Sequence, residues 1–181
     1  MTRRFLIQLS TLWVLARSAV AFDPIPGATP EVFLGGAQNL KVVSAATSIK
    51  VFRTVGSGEK PDAGKTISIS GRQCHASPAS VAATEVQQVI AALSDMGNFG
   101  EALMCDFDPG VILRFESEGR HLDIVICFSC SEMILYSDGA RVHRPFKWAA
   151  TKNTFFKDAR KAFVAIAKKA FPSDPEIQKL K

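Results

Sequence analysis

Between positions 110 and 137 the apolar residues follow the two-residue period of strands, and turn residues interrupt them twice. Val111 to Glu116 reads as one strand and His121 to Phe128 as the next, with Glu118-Gly119 as the turn between them. Glu132 to Tyr136 reads as a third strand, ending at Ser137-Asp138-Gly139. Ile124 to Phe128 is apolar without a break, which predicts a middle strand covered on both faces. A two-residue turn at Glu118-Gly119 also sets the register: Phe115 faces Leu122, Arg114 faces Asp123 and Gly110 faces Cys127.

Helical spacing occurs in two places. From Ala79 to Asp95, the residues Ala82, Val86, Val89, Ile90 and Leu93 share one face, with Ser77 or Ser80 as cap, Pro78 in the first turn and Gly97 as the stop. From Asn153 to Ala170 the stripe is Phe155, Ala159, Phe163, Ile166 and Ala170, and Lys157, Lys161 and Lys168 face water. Phe171-Pro172-Ser173-Asp174-Pro175 ends that helix, and a short helical tail follows. Upstream, β-branched content rises from Leu40 and predicts a strand ending at Val55, and Lys65 to Ser70 predicts another. Residues 22 to 39 hold three prolines and three glycines and read as an irregular leading segment. The order predicts a single α+β domain over 40–181: an antiparallel sheet of about five strands, with a three-stranded meander in its C-terminal half and two main helices on one face.

The first 21 residues change how composition is used. Arg3 and Arg4 precede a 12-residue apolar run, Phe5 to Ala16, and Ala19-Val20-Ala21 has the small-x-small pattern of a signal-peptidase site. Twelve residues fall short of the roughly 20 that span a bilayer as a helix. Export with cleavage after Ala21 is the expectation, so that the mature chain has no membrane span; an uncleaved anchor is the alternative. The formal net charge is +5, but residues 22–181 carry 19 basic against 17 acidic side chains, or +2. No strong basic balance is left to predict a nucleic-acid partner. The remaining charge is uneven: residues 152–181 hold eight Lys or Arg against three acids. That basic end could contact an anionic surface, and a solvated helix face is the plainer reading.

Four cysteines, Cys74, Cys105, Cys127 and Cys130, carry most of the chemical information. An even number in an exported chain points first to disulfides. The meander register brings Cys105 to the end of the sheet that holds Cys127 and Cys130, so a cross-strand disulfide from Cys105 to Cys127 or Cys130 needs only that proximity. A zinc site would use the same three with Cys74 or His75, although only the Cys127-x-x-Cys130 half has the usual spacing. A redox-active pair is the third reading, set against it being that Cys127-Phe128-Ser129-Cys130 lies on a strand-to-strand turn rather than at a helix start. Ser131 stands where covalent haem attachment needs a histidine.

Cys105-x-Phe107-x-Pro109-Gly110, Arg114-Phe115, Asp123 and Cys127-Phe128-x-Cys130 together resemble a pattern in uncharacterised exported or lipid-anchored bacterial proteins. The resemblance spans about a seventh of the chain. It implies that Cys105, Cys127 and Cys130 belong together, and it implies no reaction. Cys74 falls outside the pattern.

Other chemistry is sparse. His121 and Asp123 share a strand face with Arg114 opposite; the three could do acid–base work, and a polar cross-strand network is the commoner outcome. Asp106 and Asp108 share a face but lack further oxygen ligands for a hard cation. Phe146 and Trp148 read as an aromatic patch or as the edge of a core. No nucleophile-elbow, zincin, P-loop or dinucleotide fingerprint is present, so no cofactor is expected, with zinc as the alternative. The sequence leans towards a structural or binding domain rather than an enzyme.

Overall fold

A computed structural model describes residues 28–60, 64–82, 84–101, 105–142, 153–155 and 157–181. The expected signal segment, 1–21, lies outside them, as do Phe146 and Trp148. Among the described residues no helix is long and apolar enough to cross a membrane.

The chain is α+β. Its described residues open with two short helices, α1 (Pro30–Leu34) and α2 (Ala37–Ser44), followed by β1 (Ser48–Arg53). A small hairpin follows, β2 (Thr66–Ile69) and β3 (Arg72–His75), then β4 (Ala79–Ala82) and α3 (Thr84–Ser94). After a 3-10 turn come β5 (Phe99–Glu101) and the meander: β6 (Val111–Ser117), β7 (Arg120–Cys127) and β8 (Glu132–Ser137). The chain ends with β9 (Ala140–Arg141), β10 (Asn153–Phe155), α4 (Lys157–Ala170) and α5 (Pro175–Gln178). Among the described residues the main sheet is wholly antiparallel, in the order β4-β1-β6-β7-β8-β10-β5, and β9 joins β8 as an eighth strand.

The meander has the predicted register, with Phe115 opposite Leu122 and Arg114 opposite Asp123. Glu118 and Gly119 both have positive φ, 52° and 76°, as a two-residue turn matched to strand twist requires. Three expectations are corrected. The leading segment is not irregular throughout, because its prolines and glycines punctuate helices. Thr29 caps α1 through a bond from the Val32 N–H, Pro30 fills the first turn, and Gly35 ends the helix at φ 86°. The helix predicted from Ala79 starts only at Thr84, since Ala79–Ala82 instead pairs with β1. Likewise Asn153–Phe155 is a strand between β8 and β5, and the helix begins at Lys157. The sheet is accordingly larger than about five strands.

Strand alternation sends side chains to two cores. Val111, Leu113, Phe115, Leu122, Ile124, Ile126, Met133 and Leu135 face the helices, where they pack with Phe33, Val86, Phe163 and Ile166. Burying each such side chain contributes about 2 kcal/mol. On the opposite face Phe52, Ile112, Val125 and Ile134 are covered by Ile69 and Cys74 of the small hairpin. This accounts for the unbroken apolar run of β7: helices lie on one side and the β2–β3 hairpin on the other.

Candidate functional site

The cysteines meet where β7 turns into β8. Cys127 ends β7 opposite Glu132, and the four residues from Phe128 to Ser131 close the hairpin with Ser131 in the left-handed region at φ 53°. Across β6, the Gly110 N–H donates to Ile126 O at 2.8 Å. A Cβ at Gly110 would sit 3.2 Å from the Phe128 ring, so the ring would have to shift by a few tenths of an ångström to admit one. The segment before it is tied to the hairpin by a disulfide between Cys105 and Cys130, with Cα atoms 6.0 Å apart. Cys127 stays a thiol and is fully buried, whereas Cys105 is exposed. The Cys130 N–H donates to Cys127 Sγ at 3.4 Å, and Ser129 Oγ lies 3.2 Å from the same sulfur. From α4, Arg160 Nη1 donates to Phe128 O at 2.8 Å and to Ser131 Oγ at 3.0 Å. The turn is therefore held from two sides, by the disulfide and by a guanidinium.

Cys74 does not join this cluster. It lies in the core beneath the small hairpin, 0 % exposed, with Thr54 as its bridge partner. Burial pushes its thiol up to about 11; the negative charge of Asp123 adds to the shift and the positive charge of Arg114 opposes it. His75 is also elsewhere, 3.2 Å from Glu59 Oε1. The disulfide occupies two of the three sulfurs that a zinc site would need. Among the described residues no group of three or more His, Cys, Asp or Glu side chains is placed to hold a metal ion.

Arg114 and Asp123 form the expected cross-strand pair. Arg114 Nε and Nη2 donate to Asp123 Oδ1 and Oδ2 at 2.7 and 2.8 Å, a bidentate geometry. Ser70 Oγ donates to Oδ2 at 2.7 Å, and the Phe52 ring lies beneath the guanidinium at 5.5 Å. Those bonds to Asp123 push the guanidinium above its already high ordinary range, and partial burial opposes them. His121 is looser, 4.0 Å from Asp123 and 3.6 Å from Asp138. With Asp123 fully buried and spoken for by Arg114 and Ser70, the arrangement fits a clamp joining hairpin to sheet.

Beside the clamp runs a groove of about 650 Å³. One wall is Gly71, Arg72 and Gln73 of the small hairpin, and the other is Asp106 to Pro109, with Thr54, Val55 and Ser57 completing the lining. Arg72 lies over the Phe107 ring at 5.6 Å. Thr54 Oγ1 donates to Pro109 O and the Val55 N–H donates to Gln73 O at 2.9 Å, so the floor is fixed by backbone partners. Sequence reasoning missed Arg72. Ser70-Gly71, with φ 48° and 73°, is the turn signal that could have placed it at the start of a hairpin strand. The basic C-terminal helix is partly offset by acids: Lys161 meets Asp158 at 3.0 Å and Lys169 meets Glu85 at 3.8 Å.

No family model matches the chain, and no curated protein or solved structure matches it.

Proposed function

We propose that the chain is an exported binding domain that takes a small zwitterionic ligand, such as an amino acid or short peptide, in the groove between β3 and residues 106–109. The observation that carries this reading is the disulfide, which fastens the wall bearing Asp106 and Asp108 to the meander opposite Arg72. A covalently fixed wall spends little ordering entropy on binding. The guanidinium suits a carboxylate and the two aspartates suit an ammonium group. Export fits the charged start, the apolar run and the small residues ending at Ala21, together with a disulfide that an oxidising compartment would preserve.

Isothermal titration with a panel of amino acids and dipeptides tests the reading. Saturable binding that Arg72→Ala abolishes is expected. Absence of binding across the panel, or binding indifferent to Arg72→Ala, would contradict it. N-terminal sequencing of the product recovered after expression in its own host tests export, with Phe22 as the expected first residue.

A further inference from the structure

The turn from β7 to β8 holds one sulfur that the disulfide leaves unused. Cys127 sits at the start of the same four-residue Cys-x-x-Cys stretch whose other end, Cys130, is half of the bond to Cys105. Its sulfur receives the Cys130 N–H at 3.4 Å and has the Ser129 hydroxyl 3.2 Å away. Donors so placed stabilise negative charge on sulfur as it develops. Cys127 is wholly buried, which keeps external reagents away, but an attack on its own neighbour needs no solvent path. Arg160 fixes the intervening loop through Phe128 O and Ser131 Oγ, which limits how far the two ends of the Cys-x-x-Cys stretch can drift apart.

We propose that Cys105, Cys127 and Cys130 form a thiol–disulfide exchange site, in which Cys127 resolves the Cys105–Cys130 disulfide and frees Cys105 to react with an external disulfide. The Cys127 thiol passes its proton to water through the Ser129 hydroxyl, 3.2 Å from the sulfur on an exposed residue, and the thiolate attacks Cys130 Sγ. A Cys127–Cys130 bond forms as the Cys105–Cys130 bond breaks; the electron pair leaves on Cys105 Sγ, which takes a proton from water. One disulfide and one thiol stand on each side, so no oxidant or reductant is consumed. The freed thiol is the exposed one of the three. As a thiolate it can attack a low-molecular-weight disulfide such as oxidised glutathione, giving a mixed disulfide on Cys105 and one released glutathione thiolate. Cys74 takes no part: it lies in the hairpin core and its thiol is pushed up to about 11. The exchange does not depend on which ligand the groove takes, but it unfastens the wall from Asp106 to Pro109 that the Cys105–Cys130 bond ties to the meander.

The test is a trapping experiment on the oxidised protein, with N-ethylmaleimide and no reductant, near pH 8. The protein is then digested at Lys, Arg and Glu. Cys127 and Cys130 stay on one peptide, while Arg114 and Arg120 separate them from Cys105, and Glu85 and Glu101 separate Cys105 from Cys74. The expected product carries maleimide on Cys105 and a disulfide within the Cys127–Cys130 peptide. Cys127→Ser should show no label on Cys105 over the same time, because a thiol that cannot form cannot be trapped. Label on Cys127 with the Cys105–Cys130 bond intact would overturn the proposal, as would no label on Cys105 in the unmodified protein. The unmodified protein decides the matter even if Cys127→Ser folds poorly, and Cys127→Ala gives a second comparison.

Discussion

Replacing Cys105 with Ser should cost far more stability than an exposed residue normally does. The side chain buries little, so the loss falls on the cross-link and hardly on packing. The disulfide joins residues 25 apart in sequence. Closing a loop of that length in the unfolded chain corresponds to about 3.5 kcal/mol at room temperature. For a chain of this size each kcal/mol moves the melting temperature by about 2–4 °C, so the variant should melt about 7–14 °C lower. Differential scanning calorimetry of the oxidised protein and of Cys105→Ser measures this directly. Dithiothreitol should bring the unmodified protein to nearly the same temperature and leave the variant almost unmoved. A shift below about 2 °C, or an equal effect of reductant on both proteins, would refute the reasoning.

Three further outcomes are expected. Asp123→Ala leaves the Arg114 guanidinium without its bidentate partner under the hairpin and should cost about 3 kcal/mol or more by urea titration; Lys41→Ala at the exposed pair with Glu118 should cost under about 1 kcal/mol. Gly35→Ala should destabilise by about 2 kcal/mol in the same titration, because φ is +86° and the new Cβ would lie 2.5 Å from Val142 Cγ1. The Cys74 thiol, about 9.0 when unfolded and pushed up to about 11 by burial and then by Asp123, favours the folded state below pH 9. That contribution is lost as pH rises from 9 through 11, so the fall in urea midpoint over this range should be smaller in Cys74→Ala.

The meander could be read from the sequence because each of its signals is local and mutually consistent. Glu118-Gly119 needs positive φ at both positions, and once that turn is placed the two-residue period leaves one register that buries Phe115 and Leu122. The same register put Cys105 near Cys130, but it could not choose between Cys130 and Cys127 as partner. That choice depends on how the loop from Phe128 to Ser131 turns, and Arg160 from a helix distant in sequence holds that loop. Ala79–Ala82 and Asn153–Phe155 were misread for a shared reason: Ala82 and Phe155 continue the apolar stripes of α3 and α4, so periodicity alone extends both helices backwards. Only pairing with β1, and with β8 and β5, makes them strands. The groove was illegible because its walls come from three segments, and Arg72-Gln73-Cys74-His75 has no apolar alternation to mark it as a strand.

Amide hydrogen exchange read by mass spectrometry, on oxidised and reduced protein under native conditions, tests most directly whether the disulfide holds the groove wall. Reduction should speed exchange in the peptide spanning 105–110, whose Gly110 N–H is bonded to Ile126 O, while 111–117 stays protected within the sheet. Unchanged exchange at 105–110 after reduction would contradict the account, and so would loss of protection spread evenly over the whole meander.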